Sequence, residues 1–343
     1  MEHMETGAVD RYSRQVRFRE WGEQGQERLA SSTVAIVGCG ALGTFHAAAL
    51  ARAGVGSLKL IDRDYVEFSN LQRQWLFDES AAQNVLPKAI AAAEEITRIN
   101  SGIKTEAIVE DLSSRNIEEH LADSDLILDG TDNFETRFLI NDFAVRDGKP
   151  WVYGGAVGSY GIAMPILPGV TACFRCVYPQ APQGPQPTCE TDGVLNTTTA
   201  MVAAWQVSLA YRILLDRDGD WAKKISTFDV WRGDTRQIRM PERVPDCPAC
   251  GMREFPWLDG KHRAPISLCG RNAVQIHEIQ RPMNLIELRE RLEPLGSVRA
   301  NEFALRFSLP KYEITIFPDG RAIIKGTQDI GVARSLYAQY IGV

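Results

Sequence analysis

The sequence predicts an α/β protein: a Rossmann-like, doubly wound, mostly parallel sheet with N-terminal helices, added antiparallel strands and a small C-terminal α+β module. Two observations lead to this fold. Apolar runs typical of buried strands alternate with helical segments between residues 33 and 151, and the runs become shorter and alternating after residue 265. We therefore expect an N-terminal helical arm at 1–32, a large domain at 33–264 and the module at 265–343.

The first predicted strand, at 34–37, leads into a glycine-rich turn and then into an Ala/Leu-rich helix that ends near Gly54. The turn reads G-x-G-x-x-G with a strand before it and a helix after it, which is the context that a nucleotide site requires. Glycines let the backbone approach a phosphate, and a helix N-terminus offers N–H groups to its charge. The candidate phosphate-binding residues are Gly38, Gly40, Ala41, Leu42 and Gly43. A second strand, at 57–61, ends in Asp62, where an acid bonds a ribose.

A polar, irregular segment after the second strand argues against a dehydrogenase. A hydride-transfer site has no evident use for an arginine and a lysine beside the phosphates. Attack of a carboxylate on an α-phosphate does need fixed cations, usually with a metal, because charge builds on the phosphoryl oxygens. The candidate residues here are Asp64, Asn70, Arg73, Gln74 and Lys88. Asp132, after a buried strand at 126–128, can supply an oxygen ligand to the metal. The alternative is that these charges are solvated surface groups.

At these residues the chain resembles the E1-like adenylyltransferases, the ThiF/MoeB/HesA family, which is related to ubiquitin-activating enzymes. The matching motifs run from residue 11 to residue 250: RYSRQ, GCGALG, LIDRDYVEFSNLQRQ, the helix that Lys88 opens, and GTDNFETRFLIND. The resemblance implies an enzyme that binds ATP and Mg²⁺. It would adenylate the C-terminal Gly-Gly carboxylate of a small ubiquitin-like sulfur carrier.

The resemblance also implies roles for single residues. Asp132 would hold the magnesium, and Arg14 matches the arginine that the family sends across a homodimer interface into the partner's site. Together with Arg73 and Lys88, Arg14 would absorb charge during the reaction. The residues that would contact the nucleotide phosphates and ribose are Gly38, Gly40, Gly43, Asp62, Asn70, Arg73 and Lys88.

Four of the seven cysteines form two C-x-x-C knuckles, Cys173 with Cys176 and Cys247 with Cys250. Four thiolates in this pairing make a closed, structural zinc site that would staple a distant segment to the sheet. Two disulfides or a redox centre are the alternatives. Many members of the family carry this zinc site, so the resemblance points the same way.

Cys189 follows a stretch rich in Pro, Gln and Gly and precedes a predicted helix at 194–215. A helix N-terminus nearby would lower the pKa of its thiol. In the family this position matches the cysteine that takes the carrier in a covalent link, and Cys189 or an external persulfide would supply or relay sulfur to give a thiocarboxylate. The alternative is a bystander cysteine. Cys39 and Cys269 are interpreted as packing residues.

The module after residue 265 is predicted to contain a helix at 284–292, strands at 304–307, 313–317 and 321–324, and a final helix at 328–340. Two sequence stretches of the module, CGRNAVQI and FPDGRAIIKGT, resemble the C-terminal module of thiazole-biosynthesis ThiF proteins from Gram-positive bacteria. The resemblance therefore favours a ThiS-like carrier and the thiamine pathway.

Whole-chain properties agree with a cytoplasmic enzyme. The net charge of −6 argues against a dedicated nucleic-acid binder, and no apolar run approaches the length of a membrane span. Several alternatives remain open at this point. The chain could activate a MoaD-type carrier for molybdopterin, modify a peptide or tRNA, act as an NAD-dependent dehydrogenase, or bind a ubiquitin-like protein without turnover.

Overall fold

The computed structural model describes residues 11–180, 189, 191–215, 219–260, 267–268, 273–276, 283–318 and 320–342. Its main sheet has eight strands in the order β3-β2-β1-β4-β5-β6-β7-β8. The first five are parallel and the rest are antiparallel, which confirms the predicted fold class. These strands are β1 (Thr33–Val37), β2 (Ser57–Ile61), β3 (Lys104–Ile108), β4 (Leu126–Asp129), β5 (Trp151–Val157), β6 (Tyr160–Ile166), β7 (Lys224–Asp229) and β8 (Asp234–Arg239).

The central strands β1, β2 and β4 are mostly apolar, and helices cover both faces of the sheet that they form. Along β1, Val34 and Ile36 belong to one core cluster, whereas Ala35 and Val37 belong to the other. This alternation is the period of two that a strand imposes on its side chains. The helices that cover the first face are Gly22–Ser31, Ala41–Ala53, Lys88–Ile99 and Asn196–Leu214. The helices on the second face are Ile117–Leu121, Phe134–Asp147 and Phe174–Val177, and two further short helices are Ser13–Val16 and Glu79–Gln83.

The N-terminal segment packs on its own chain. Leu29 is fully buried in the main core, and Trp21 packs edge to face against Tyr211 with 4.8 Å between the ring centroids. The sequence also predicts that the helices of residues 1–32 pack across a dimer, and the contacts within the chain do not test that prediction. A dimer contact through its exposed face stays a prediction.

Two antiparallel strands at the end of the main sheet, β7 and β8, were not predicted. Every residue of β8 is exposed, and its sequence DTRQIR shows no regular apolar alternation. A strand that buries neither face carries no burial signal for sequence analysis to detect. β8 forms by backbone pairing with the edge of β7. The two strands are antiparallel, with Lys224 opposite Arg239 at one end and Asp229 opposite Asp234 at the other.

The C-terminal module is a two-layer α+β unit, as predicted. Its six strands lie in the order β11-β12-β13-β14-β10-β9. One face of this sheet is apolar and is covered by the helices Leu285–Leu292 and Ile330–Tyr340. The strands are β9 (Ser267–Leu268), β10 (Ala273–Ile276), β11 (Ser297–Ala300), β12 (Leu305–Ser308), β13 (Glu313–Ile316) and β14 (Ala322–Lys325). The predicted boundaries between the three units stay predictions.

Among the described residues, no helix has both the length and the apolar character needed to cross a membrane.

Candidate active site

The carboxyl ends of three neighbouring parallel strands bring most of the predicted site residues to one edge of the main sheet. Val37 of β1 lies opposite Ile61 of β2 and Asp129 of β4. The residues that follow these strands therefore lie side by side, about 5 Å apart from strand to strand. Ligands bind at this edge of an open α/β sheet.

The glycine-rich turn crosses from β1 into the helix Ala41–Ala53 with no room for side chains at two of its glycines. A Cβ on Gly43 would lie 1.9 Å from the carbonyl oxygen of Gly38, and Gly38 itself has a φ of 89°. Gly130 after β4 is equally tight, since its Cβ would lie 2.3 Å from the same oxygen. These glycines are therefore required by close backbone packing, whether or not a ligand is bound.

Gly40 differs from its neighbours because the space beside it is open. The nearest atoms to a Cβ at Gly40 lie 3.9 Å away and belong to Gln74 and Gly130. Gly40 is also the N-cap of the helix and carries no capping side chain. The turn thus leaves a cradle in front of the helix N-terminus, which fits a phosphate group. Ala41 is half-buried, and Leu42 is buried in a cluster with Val202 and Phe228, so Leu42 has only its backbone to offer a ligand.

Asp62 ties the end of β2 to the glycine turn. Its two carboxylate oxygens accept the backbone N–H groups of Cys39 and Asp64, each at 2.7 Å. Burial raises the pKa of Asp62, and the charge of Lys88 opposes that shift. Each carboxylate oxygen has a second lone pair, so the predicted bond to a ribose hydroxyl stays chemically open.

Asp64 and Lys88 form a buried ion pair beside the turn. Lys88 Nζ lies 3.2 Å from Asp64 Oδ2, and the Lys88 backbone N–H donates to the carbonyl of Asp64 at 2.8 Å. Both side chains are nearly buried, at 7% and 12% exposed. Lys88 opens the helix Lys88–Ile99, so it is placed at the N-terminus of that helix as predicted.

The three remaining polar candidates follow in a single turn of 3₁₀-helix, Phe68–Asn70, and the loop after it. Asn70 is buried and accepts the backbone N–H of Glu67 at 3.1 Å. Arg73 is half-buried and donates to the carbonyl of Ser69 at 2.8 Å. Gln74 is 4% exposed, and its Oε1 has no hydrogen-bond partner in the described structure. The Gln74 amide borders the open space at Gly40 through its Nε2, and its buried Oε1 can accept one further hydrogen bond.

Asp132 lies exposed in the loop after β4, while the residue that organises this loop was missed by sequence analysis. Arg137 is buried and pairs with the fully buried Asp129, with Nε 3.0 Å from Oδ2. Its second terminal nitrogen donates to the carbonyls of Thr131 at 2.6 Å and Gly154 at 3.0 Å. Arg137 therefore links the Asp132 loop to β4 and β5. The family-like GTDNFETR stretch contains both partners, but nothing in its spacing shows that they are buried together.

A second buried network, also missed, lies behind the sheet edge. His46 Nε2 donates to Gln206 Oε1 at 2.9 Å, and Gln206 Nε2 donates to the carbonyls of Asp129 at 2.9 Å and Val152 at 3.2 Å. Burial lowers the pKa of His46 to about 4, so the ring is neutral at physiological pH. The contact joins residues 160 positions apart, which sequence periodicity cannot reveal.

The four knuckle cysteines converge as predicted. Their Sγ atoms all lie within 4.8 Å of one another, with Cys173 3.6 Å from Cys247 and Cys176 3.4 Å from Cys250. These separations exceed a disulfide bond and are close to the spacing of about 3.8 Å between thiolates around a tetrahedral zinc ion. The hydrogen bond between Cys173 and Cys176 lowers the pKa of the Cys176 thiol and raises that of the Cys173 thiol. The donor set therefore fits zinc.

Cys189 lies half-buried at the same edge of the sheet as the glycine turn. Its Sγ donates to the carbonyl of Ala156, near the end of β5, at 3.5 Å. The chain that follows is fixed by a bridge between Gly158 and Val194, and then by Thr198, whose hydroxyl donates to the carbonyl of Gly158 at 3.1 Å. The predicted helix begins at Asn196. Cys269 lies outside the described residues, and Cys39 is buried as expected.

Arg14 is not brought to the site of its own chain. Arg14 lies exposed on the short helix Ser13–Val16. This short helix contacts the C-terminal end of the helix Ala41–Ala53, where the Gln15 side chain donates to the carbonyl of Ala53 at 2.8 Å. A helix of this length spans about 20 Å, so Arg14 is well removed from the glycine turn at the other end. The role of Arg14 in another copy of the chain stays a prediction.

Comparison with known proteins gives a consistent result. Residues 12–249 match the model of the ThiF family. The chain is 40% identical over 336 residues to the sulfur carrier protein ThiS adenylyltransferase of Bacillus subtilis, covering 97% of this chain and 99% of that protein. It is 38% identical to the SAMP-activating enzyme E1 of Haloferax volcanii, covering 71% and 89%. It is also 38% identical to the adenylyltransferase and sulfurtransferase MOCS3 of Sus scrofa, covering 71% and 53%.

Solved structures share the fold. Escherichia coli MccB with ATP superposes with a TM-score of 0.61 at 23% identity, over 70% of this chain and 74% of that one. The complex of MccB with MccA-N7isoASN gives a TM-score of 0.63 at 22% identity, over 71% and 74%. The matched family region includes the glycine turn, the polar segment and three of the four knuckle cysteines, so the chain belongs to the ThiF family of E1-like adenylyltransferases.

Proposed function

We propose that the chain uses ATP to adenylate the C-terminal carboxylate of a small ubiquitin-like sulfur carrier of the ThiS type, activating it for thiocarboxylate formation in thiazole biosynthesis. The observation that carries this proposal is the set of polar residues at one sheet edge in a chain that matches a ThiS adenylyltransferase over nearly its full length. The names of the relatives favour adenylation over the dehydrogenase and scaffold alternatives.

The cradle at Gly40 and the helix N-terminus behind it would receive the phosphates of ATP. Lys88, Arg73 and Asn70 would hold the triphosphate, and Asp62 the ribose. As the carrier carboxylate attacks the α-phosphate, a mixed anhydride forms and pyrophosphate leaves. Lys88 is well suited to meet the developing charge because it is nearly buried, where a fixed cation acts more strongly than in water.

Two metal ions belong to the proposal. Asp132 is exposed at the sheet edge and offers carboxylate oxygens, the ligand type that Mg²⁺ prefers. A bound magnesium ion would neutralise charge on the triphosphate. Zinc at the four knuckle cysteines would be structural, since a closed sulfur set leaves no position for substrate.

We further propose that the enzyme is a homodimer. Arg14 is exposed and far from the site of its own chain, so it would complete the site of the partner. Large exposed apolar side chains support an interface: Phe18 is 60% exposed, Phe68 56% and Trp75 55%. Phe18 lies on the same N-terminal segment as Arg14, and the other two lie within the polar segment.

The second step is assigned to Cys189 or to an external persulfide donor. Cys189 lies at the carboxyl end of β5, the same edge as the nucleotide site, which supports its reaching an adenylated carrier. Its thiol would displace AMP and form a thioester with the carrier. Adenylation itself does not need this thiol.

A MoaD-type carrier is the second candidate partner, because the MOCS3 and Haloferax relatives match over the large domain. The C-terminal module discriminates between the two. The matches to these relatives cover 71% of the chain, whereas the ThiS adenylyltransferase matches 97% and therefore includes the module. This difference supports the ThiS-type carrier.

The test is carrier-dependent ATP–pyrophosphate exchange, with ThiS-type and MoaD-type carriers offered separately. We expect exchange with the ThiS-type carrier, loss of exchange in Asp132→Ala, and full exchange in Cys189→Ala together with loss of any covalent carrier adduct. Exchange only with the MoaD-type carrier would refute the thiamine assignment. A fully active Asp132→Ala variant would refute the magnesium assignment.

A further inference from the structure

The C-terminal module packs directly on the segment that holds the candidate ATP-site residues. Its helix-covered face is apolar. Its other face lies against Tyr65 and Val85 of the large domain, in a cluster completed by the module residues Ala273, Ala304, Phe317 and Ile323. Tyr65 immediately follows Asp64, and Val85 comes three residues before Lys88. The module thus contacts the chain on both sides of the buried Asp64–Lys88 pair.

Tyr65 is held by a row of side chains that crosses three strands of the module. Arg306, Thr315 and Ile323 lie opposite one another on β12, β13 and β14, so they point to the same face. The Arg306 guanidinium lies 4.3 Å from the centroid of the Tyr65 ring, and the Thr315 hydroxyl donates to the Tyr65 hydroxyl at 3.2 Å. Tyr65 is 5% exposed, so this contact excludes water.

The next row of side chains on the same face of the module contains Lys325, which binds Glu67 of the large domain. Lys325 of β14 makes a short ion pair with the Glu67 carboxylate and lies 5.4 Å from the ring of Tyr65. Glu67 is the N-cap of the 3₁₀ turn Phe68–Asn70 and forms a reciprocal capping box with Asn70. Lys325 therefore holds Glu67 in place, and Glu67 in turn holds Asn70 through the capping box.

On the other side, the module holds a strained turn. Val85 has a φ of 52°, a conformation that a β-branched residue adopts only when its surroundings enforce it. Asn301 of the module donates its side-chain N–H groups to the carbonyls of Asn84 and Val85, both at 3.1 Å. The chain then pairs back onto Tyr65 through Pro87, and Lys88 follows.

We infer that the C-terminal module is a positioning element of the ATP site: Lys325 and Asn301 hold the two arms of the 64–88 segment so that Lys88, Asp64 and Asn70 are preorganised for the nucleotide. The inference rests on the proposed function only in naming ATP as the ligand. The two residues do not touch the site themselves, since they act through Glu67 and through the Val85 turn. A site supported in this way loses affinity when its support is loosened.

The test is equilibrium binding of ATP with Mg²⁺ to the full chain without any carrier, by calorimetric titration. We expect Lys325→Met and Asn301→Ala each to raise the Kd for ATP by about tenfold, the size of effect typical of residues in one contact network. Lys325→Arg keeps the cation and should restore most of the affinity. Because no carrier is present, the result does not depend on the adenylation proposal, which fails separately if wild-type protein binds ATP but shows no exchange.

Arg289→Met is the matched control. Arg289 also lies in the module and also makes an ion pair, 2.6 Å from Glu293, but on the exposed surface of the helix Leu285–Leu292. It should bind ATP as wild type does. A folded Lys325→Met or Asn301→Ala variant with the wild-type Kd would overturn the inference, and so would an equal loss in Arg289→Met. If Lys325→Met fails to fold, Asn301→Ala decides alone.

Discussion

Replacing Arg137 by methionine should destabilise the large domain strongly, because it removes the only charge that neutralises Asp129 among the contacts the structure describes. Asp129 is 0% exposed and Arg137 6%, and the guanidinium also donates to two backbone carbonyls. Breaking a buried pair by removing one partner costs about 4 kcal/mol, since the remaining carboxylate is left in a low dielectric. For a domain of this size that loss lowers the melting temperature by about 10 °C.

The assay is thermal and urea unfolding followed by tryptophan fluorescence, with Arg98→Met as the control. Arg98 pairs with Glu95 at 2.7 Å, but its side chain is 67% exposed, so its loss should cost less than about 1 kcal/mol. The double variant Asp129→Asn with Arg137→Met should recover part of the stability, because the buried charge is gone. An Arg137→Met variant that melts within about 2 °C of the control would refute the reasoning.

Three further predictions concern the glycine turn, the cysteine cluster and the buried histidine. Gly43→Ala should misfold the turn because its Cβ would lie 1.9 Å from a carbonyl oxygen, whereas Gly40→Ala should melt as wild type does and yet lose ATP affinity in a titration, because its methyl group fills the open cradle. Elemental analysis should find about one zinc ion per chain, lost in Cys247→Ser and kept in Cys189→Ser; equal zinc in both variants would contradict the assignment. The pKa of His46 is lowered from 6.5 to about 4, so the unfolded state binds more protons between these values and stability should fall by about 3 kcal/mol as the pH drops through this window, a slope that His46→Gln should flatten in unfolding titrations.

The central strands and helices could be predicted closely because burial on both faces leaves a strong signal. The predicted strand at 57–61 and the strand Ser57–Ile61 coincide, and the helix predicted after the glycine turn is Ala41–Ala53, which ends at Gly54 as expected. The glycine turn and the cysteine knuckles could also be predicted from the sequence, because each is defined by a short spacing of residues along the chain.

What the sequence could not reveal depends on contacts between distant residues. In the sequence Arg137 cannot be distinguished from an exposed helix arginine, and only the fold shows that it is buried against β4 and β5. His46 bonds Gln206, which lies 160 positions away along the chain. The contact of Thr315 with Tyr65 spans 250 positions. Periodicity reports which face of an element is buried, but not which element covers it. The docking of the module beside the candidate ATP site was therefore beyond reach of the sequence.

The central claim is that the chain transfers an adenylyl group to a carrier carboxylate. The most direct measurement is the intact mass of a ThiS-type carrier after incubation with the full chain, ATP and Mg²⁺, with a carrier that lacks its terminal glycine as the control. The account predicts that the full carrier gains the mass of an adenylyl group, that pyrophosphate is released, and that the truncated carrier is unchanged. A carrier that gains only a phosphoryl group, with ADP as the product, would contradict it.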